Sequence, residues 1–119
     1  MHAIILRANA LSCLVFGALF TVLPAQVAAF LGTAPHWLVL GIGLVLLLNG
    51  AHLVWASLRH APVMELRYFA LGDFMWVVLT VVLIASGTWI TTPAGIVTAG
   101  VVGLMVATFG ALQWRLAAG

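Results

Sequence analysis

Residues 67–93 read RYFALGDFMWVVLTVVLIASGTWITTP. Between Arg67 and Gly87 the only charged residue is Asp73, and nearly everything else is apolar. A strand rarely exceeds about 10 residues, whereas a helix needs roughly 20 apolar residues to cross a bilayer. The run closes on Gly87-Thr88 and a second apolar stretch opens at Pro93. Glycine just past a helix end and proline at a helix start are the usual punctuation of two helices joined by a turn. This window therefore reads as one membrane-spanning helix turning into another.

Working outward, the same grammar repeats. Apolar runs predict four spans, at about 8–31, 37–58, 67–86 and 94–115. The breaks are Gly32-Thr33-Ala34-Pro35-His36, Arg59-His60-Ala61-Pro62, and the segment from Gly87 to Pro93. Connections this short make neighbouring helices antiparallel. Of the 119 residues 66% are hydrophobic and 5% charged, and the mean hydropathy is +1.29. Soluble domains carry about 25% charged residues, so lipid is the expected solvent. The expected fold is all-α: a single polytopic membrane domain over 1–119, built as an antiparallel four-transmembrane-helix bundle.

The four arginines set an orientation. Arg7 precedes the first span, Arg59 and Arg67 flank the second loop, and Arg115 ends the fourth. The first and third loops hold no Lys or Arg. Positive residues concentrate on the cytoplasmic side, so both termini and the middle loop are expected there, in a bacterial inner membrane. Trp37 and Trp89 then fall at the outer boundary, with Trp55, Tyr68 and Trp114 at the inner one. A second reading of residues 1–29 stays open. Arg7, the run Ala10–Leu23 and the small residues ending Val27-Ala28-Ala29 also have the form of a cleavable secretory signal.

A faint internal echo accompanies this layout. The first and third spans begin with a polar group (Asn9, Asp73) and run out through a Gly-Thr pair, and the second and fourth follow a proline. Two duplicated hairpins would fit.

Small residues mark where helices approach closely in lipid. The fourth span carries Gly95, Ala99, Gly103, Ala107 and Ala111 at four-residue spacing; the first carries Asn9, Cys13, Gly17 and Thr21. The second has Gly41, Gly43 and Gly50, and Pro24 is expected to kink the first span. These seams either hold the monomer together or form a face for homo-oligomerisation.

Asp73 is the prime candidate functional residue. It lies about 9 Å along the helix from Arg67, and an acid at a helix centre costs about 2.5–3.5 kcal/mol to insert. Intramembrane acids are functional candidates by default; the structural alternative is a hydrogen bond fixing neighbouring helices, or a pair with Arg7. Asp73 shares a helix face with Phe69, Trp76, Val77 and Thr80. Asn9, Ser12, His52 and Gln113 fall in the same cytoplasmic half, with Asn49 near mid-membrane. One polar group per helix at a common level reads as a buried network or a cavity. Within it, Asp73 and His52 would make a protonatable pair, with Asn49, Asn9, Gln113 and Trp76 along the path.

Other chemistry finds less support. Four arginines and no lysine are too few and too scattered for a nucleic-acid surface. No His, Cys and acid set has metal-site spacing. His36 and His60 sit at the wrong depths to pair with His52 about a haem, so no cofactor is expected. Ser12 and Cys13 lack a base and an orienting group, so no enzyme activity is expected. Glu65 is expected to pair with Arg59 or Arg67. The size matches that of small multidrug-resistance exporters, but those resemble one another through a glutamate in the first span, where this chain has no acid.

Two functional expectations lead. An accessory or scaffold protein, acting by helix association with itself or with a larger membrane complex, would be sensitive along Gly95–Ala111. A proton-coupled transporter or channel for a small solute would show a wet cavity reaching Asp73.

Overall fold

A computed structural model describes residues 2–59 and 61–118, which form five helices: α1 (His2–Val22), α2 (Pro24–Leu31), α3 (His36–Ser57), α4 (Val63–Ser86) and α5 (Pro93–Ala118). Four of them, α1, α3, α4 and α5, are long and apolar enough to cross a membrane. Bulky apolar side chains such as Leu48 (73% exposed) and Met64 (78%) point outward, as suits helices solvated by lipid. His60, one of the histidines weighed for haem, lies outside the described residues.

The expected first span, 8–31, divides. Proline has no N–H to donate, and the chain leaves helical geometry at Leu23 (φ −123°, ψ 51°) before α2 resumes at Pro24. Hydrogen bonds continue across the break from Leu23 N–H to Leu19 and from Val27 N–H to Leu23. The result is two helices where a kinked one was expected, with α1 beginning earlier, at His2. Likewise α4 starts at Val63 rather than at Arg67, because the extended Pro62 (ψ 158°) presents its carbonyl to Glu65 N–H.

Two helical pairs make the molecule. Along α1 and α3 the contacts run in opposite sense: Gly50 meets Leu14, Leu47 meets Gly17 and Gly43 meets Thr21. A Cβ on Gly17 would lie 2.9 Å from Leu47 N, and one on Gly43 2.8 Å from Phe20 Cβ. Only hydrogen fits there, so these glycines set the helix separation. In the second pair the Phe74 ring of α4 covers Gly110 of α5, 2.9 Å from where its Cβ would stand.

The pairs are tied at the end opposite the arginines by their loops. Gly32 and Ile90 form an antiparallel bridge, Thr33 N–H donates to Trp89, and Thr91 and Thr92 N–H both donate to Leu31. Gly32 has φ 136°, and a Cβ there would lie 2.0 Å from Thr91 Oγ1, so glycine is required. Gly87 does a different job, closing α4 in the left-handed region (φ 66°) while Thr88 N–H returns to Leu83 in the pattern of a Schellman cap. The two Gly-Thr pairs of the echo therefore serve unlike turns. Thr92 links the ties: its hydroxyl donates to Phe30 O and accepts from Gly95 N–H at the start of α5.

At the arginine end an apolar core gathers Leu6, Ala10, Cys13, Leu53, Ala56, Leu66 and Phe69. The polar site lies beside it.

Candidate functional site

Three buried polar side chains meet, one each from α1, α4 and α5. Asn9 is 2% exposed, Asp73 7% and Gln113 0%. Asn9 Nδ2 donates to Asp73 Oδ2 (3.0 Å) and to Gln113 Oε1 (2.9 Å), and Gln113 Nε2 donates to Asp73 Oδ2 (2.8 Å). The three groups close a ring of hydrogen bonds. Each reaches it for a local reason. Asn9 lies on the α1 face that buries Leu6, Ala10 and Cys13; Asp73 follows buried Phe69 and Ala70 around α4; Gln113 follows Gly110, where α4 and α5 approach closely.

The ring continues into the first pair through Cys13, which the sequence placed on a small-residue stripe and not in the polar cluster. Cys13 Sγ donates to Asn9 Oδ1 (3.7 Å) and receives Asn49 Nδ2 (3.5 Å). Asn49 on α3 is thus joined to Asp73 on α4 through two residues of α1. The available signal was the i, i+4 placement of Asn9 and Cys13 on one helix face.

Other expected members stand apart. His52 does not meet Asp73. Its ring packs edge-on against Phe69 (4.8 Å between centroids) and its Nε2 lies 3.5 Å from Glu65 Oε1. Phe69 precedes Asp73 by about one helical turn, and it is Phe69 that the His52 ring meets. Trp76 is half-buried, and its backbone carbonyl accepts the Thr80 hydroxyl. Arg7 donates to Ser57 Oγ (3.3 Å) instead of pairing with Asp73. Asp73 is thus held by two neutral amides and by no arginine.

The energetics suit a structural knot. Hydrogen bonds between helices in lipid average about 0.6 kcal/mol and reach about 1.7, so three contribute roughly 2–5 kcal/mol. Inserting an acid at a helix centre costs about 2.5–3.5 kcal/mol. The two are of one size, and the ring offsets what Asp73 costs.

A second cluster ends α3 and begins α4. Glu65 Oε1 accepts from Arg59, whose guanidinium stacks over the Trp55 ring at 3.7 Å. Of the two arginines expected near Glu65, Arg59 is the partner; Arg67 lies instead over Trp114, 5.5 Å from the ring centroid.

The small-residue stripe of α5 does not keep to one face. Gly95 is buried against the Leu31 and Phe30 backbone, Gly103 is buried, Ala99 and Ala107 are half-buried, and Ala111 is exposed. Four residues overshoot a helical turn by about 40°, so a strict four-residue spacing winds around the helix. The buried register is Gly95, Gly103, Gly110, Gln113 and Ala117.

Two clefts open at the arginine end. One is lined by Ala3, Leu6, Ala56, Ser57, Leu58, Arg59 and Ala61; the other lies between α4 and α5. Neither is lined by Asp73, Asn9 or Gln113. Among the described residues no three His, Cys, Asp or Glu side chains group as metal ligands do. No family model matches the chain, and neither a curated protein nor a solved structure matches it.

Proposed function

We propose that this chain is a small accessory or scaffold protein of the bacterial inner membrane, crossing it four times and acting by helix association in a homo-oligomer or a larger membrane complex. Both termini and the segment between α3 and α4 would face the cytoplasm. Support for the orientation comes from Arg7, Arg59, Arg67 and Arg115, none of which lies in the paired loops at the other end.

The observation that carries the association reading concerns glycines the monomer does not use. Gly41 on α3, Gly72 on α4 and Gly100 on α5 are exposed, and a Cβ at each would meet no atom within 4 Å. Glycine inside a helix costs about 0.5–1 kcal/mol relative to alanine. Gly17, Gly43 and Gly50 recover that cost by close approach within the chain; these three make no such contact, and another helix would supply it. The alternative, a proton-coupled path using Asp73, is less well supported, because the amides around Asp73 bond one another and the carboxylate rather than face a cleft.

The test is self-association in phosphatidylcholine bilayers, read by single-molecule photobleaching as protein is diluted in lipid. Wild type should form oligomers. Leucine at position 41, 72 or 100 should weaken them at least tenfold at one site without lowering the unfolding temperature. A wild type that stays monomeric at every dilution overturns self-association.

A further inference from the structure

An open apolar groove runs between α4 and α5. Its walls are Leu71, Phe74 and Ala111, and Trp114 and Arg115 stand at its arginine end. The Phe74 ring in that wall is held in place against Gly110. Ala111 creates the hollow, being the one small side chain among bulky ones. The groove is open along one side, with a volume of about 360 Å³.

The rim is cationic and uncompensated. Arg67 reaches over Trp114 from α4, and Arg115 lies next to Trp114 on α5. Among the described residues neither arginine has a carboxylate within salt-bridge distance. Both acids of the chain are engaged elsewhere, Glu65 with Arg59 and Asp73 with Asn9 and Gln113. An apolar groove with Trp114 and Arg115 in its lining, and Arg67 over the same indole, suits a molecule with an anionic phosphate at one end and a hydrocarbon chain at the other. Basic pockets between membrane helices on the cytoplasmic side bind such headgroups, and guanidinium is well suited to a phosphate's paired oxygens.

We infer that this cleft holds a phospholipid of net negative charge, its phosphate between Arg67 and Arg115 and one acyl chain along Leu71, Phe74 and Ala111. The inference rests on the membrane reading proposed above. Such a lipid would cover the arginine end of α4 and α5 as a bound component of the protein, leaving Gly41 on α3 clear of it.

The full chain, purified in a neutral detergent, is mixed with phosphatidylglycerol or phosphatidylcholine of the same acyl chains, and retained lipid is read by native mass spectrometry. Wild type should retain phosphatidylglycerol about tenfold more than phosphatidylcholine. Because each arginine near an anionic surface contributes a several-fold factor, R67Q/R115Q should lower phosphatidylglycerol retention by about thirtyfold. A111L fills the trough and should lower retention of both lipids with an unchanged helical circular dichroism spectrum. R7Q, whose arginine bonds Ser57 elsewhere, should behave as wild type. Equal retention of the two lipids, or undiminished phosphatidylglycerol in R67Q/R115Q, overturns the site. So does a wild-type dimer that retains no lipid, which would place a second copy in the trough. Vesicle flotation separates the two levels: a chain that fails to float with lipid overturns the membrane reading itself, while one that floats and fails the retention test loses only the site.

Discussion

The seam inside the first helical pair and the seam between the two pairs are built from opposite materials. Between α1 and α3, Gly17, Gly43 and Gly50 bring the helices together until backbone meets side chain, with Arg7–Ser57 and Asn49–Cys13 hydrogen bonds alongside that close approach. Between the pairs, α1 reaches α4 and α5 through Asn9, Asp73 and Gln113 at one end, and through a short loop pairing at the other. Where lipid surrounds every helix, apolar attraction does not choose partners. Close approach works when both surfaces are smooth. Directional hydrogen bonds work when helices stand farther apart, and they fix which helices meet and at what level.

Breaking the first seam should have the largest effect. Gly17→Leu would place a branched side chain where a Cβ alone lies 2.9 Å from Leu47 N. Backbone cannot give way as a side chain can, and overpacking of this kind costs about 1–3 kcal/mol, occasionally more. The expected result is loss of most of the folded population in a denaturant titration in mixed micelles. A tolerated Gly17→Leu would show that the two helices are held apart from each other after all.

Breaking the second seam should cost no more, since it leaves no overpacked backbone, and should depend on chemistry rather than volume. Asp73→Leu removes the acceptor of two amide donors, for a loss of about 1–3 kcal/mol. Asp73→Asn keeps a carbonyl oxygen in place and should cost less than about 1 kcal/mol. A double-mutant cycle pairing Asn9→Leu with Asp73→Leu should show coupling, because each single change already breaks the ring. Additive effects would mean that the ring does not act as a unit.

The two seams were not equally legible in the sequence. Helix number and type followed from apolar run length, since crossing a bilayer leaves few alternatives, and Asn9, Asp73 and Gln113 could be placed at a common depth by counting from the arginines. Depth, however, is one coordinate of three. Rotation about each axis decides that Asp73 meets two amides while His52 turns to Phe69 and Glu65, and rotation is set by packing that no single helix encodes. The α5 stripe shows the same limit, because its spacing looked linear in sequence and winds in space. Loop pairing through Gly32 and Ile90 was invisible because it joins segments far apart in the chain.

That loop pairing offers a sharper, more local test of the second seam. Gly32 sits at φ 136°, with Thr91 Oγ1 2.0 Å from where a Cβ would stand. Alanine there would have to adopt strained backbone and displace Thr91, at a cost of about 1–3 kcal/mol. The effect should be local. Amide exchange should quicken at Thr33, Thr91 and Thr92, whose N–H groups cross between the loops, while exchange at the Asn9 ring stays unchanged. If both ends loosen together, the inter-pair seam is one cooperative unit.

The smallest effect is expected at Glu65, and it separates position from energy. Glu65 accepts from Arg59 and lies 3.5 Å from His52, a geometry that looks important in outline. Both partners are about a third exposed at the end of the helices (Arg59 30%, His52 33%), and exposed ion pairs contribute at most about 1 kcal/mol. Glu65→Gln should therefore shift stability by less than the Asp73→Leu change, and added salt should erase most of the difference by screening. A Glu65→Gln loss as large as that of Asp73→Leu, persisting at high salt, would place a third tie between the pairs, at the junction of α3 and α4. The contrast between one glycine seam and one polar seam would then need a charged seam beside them.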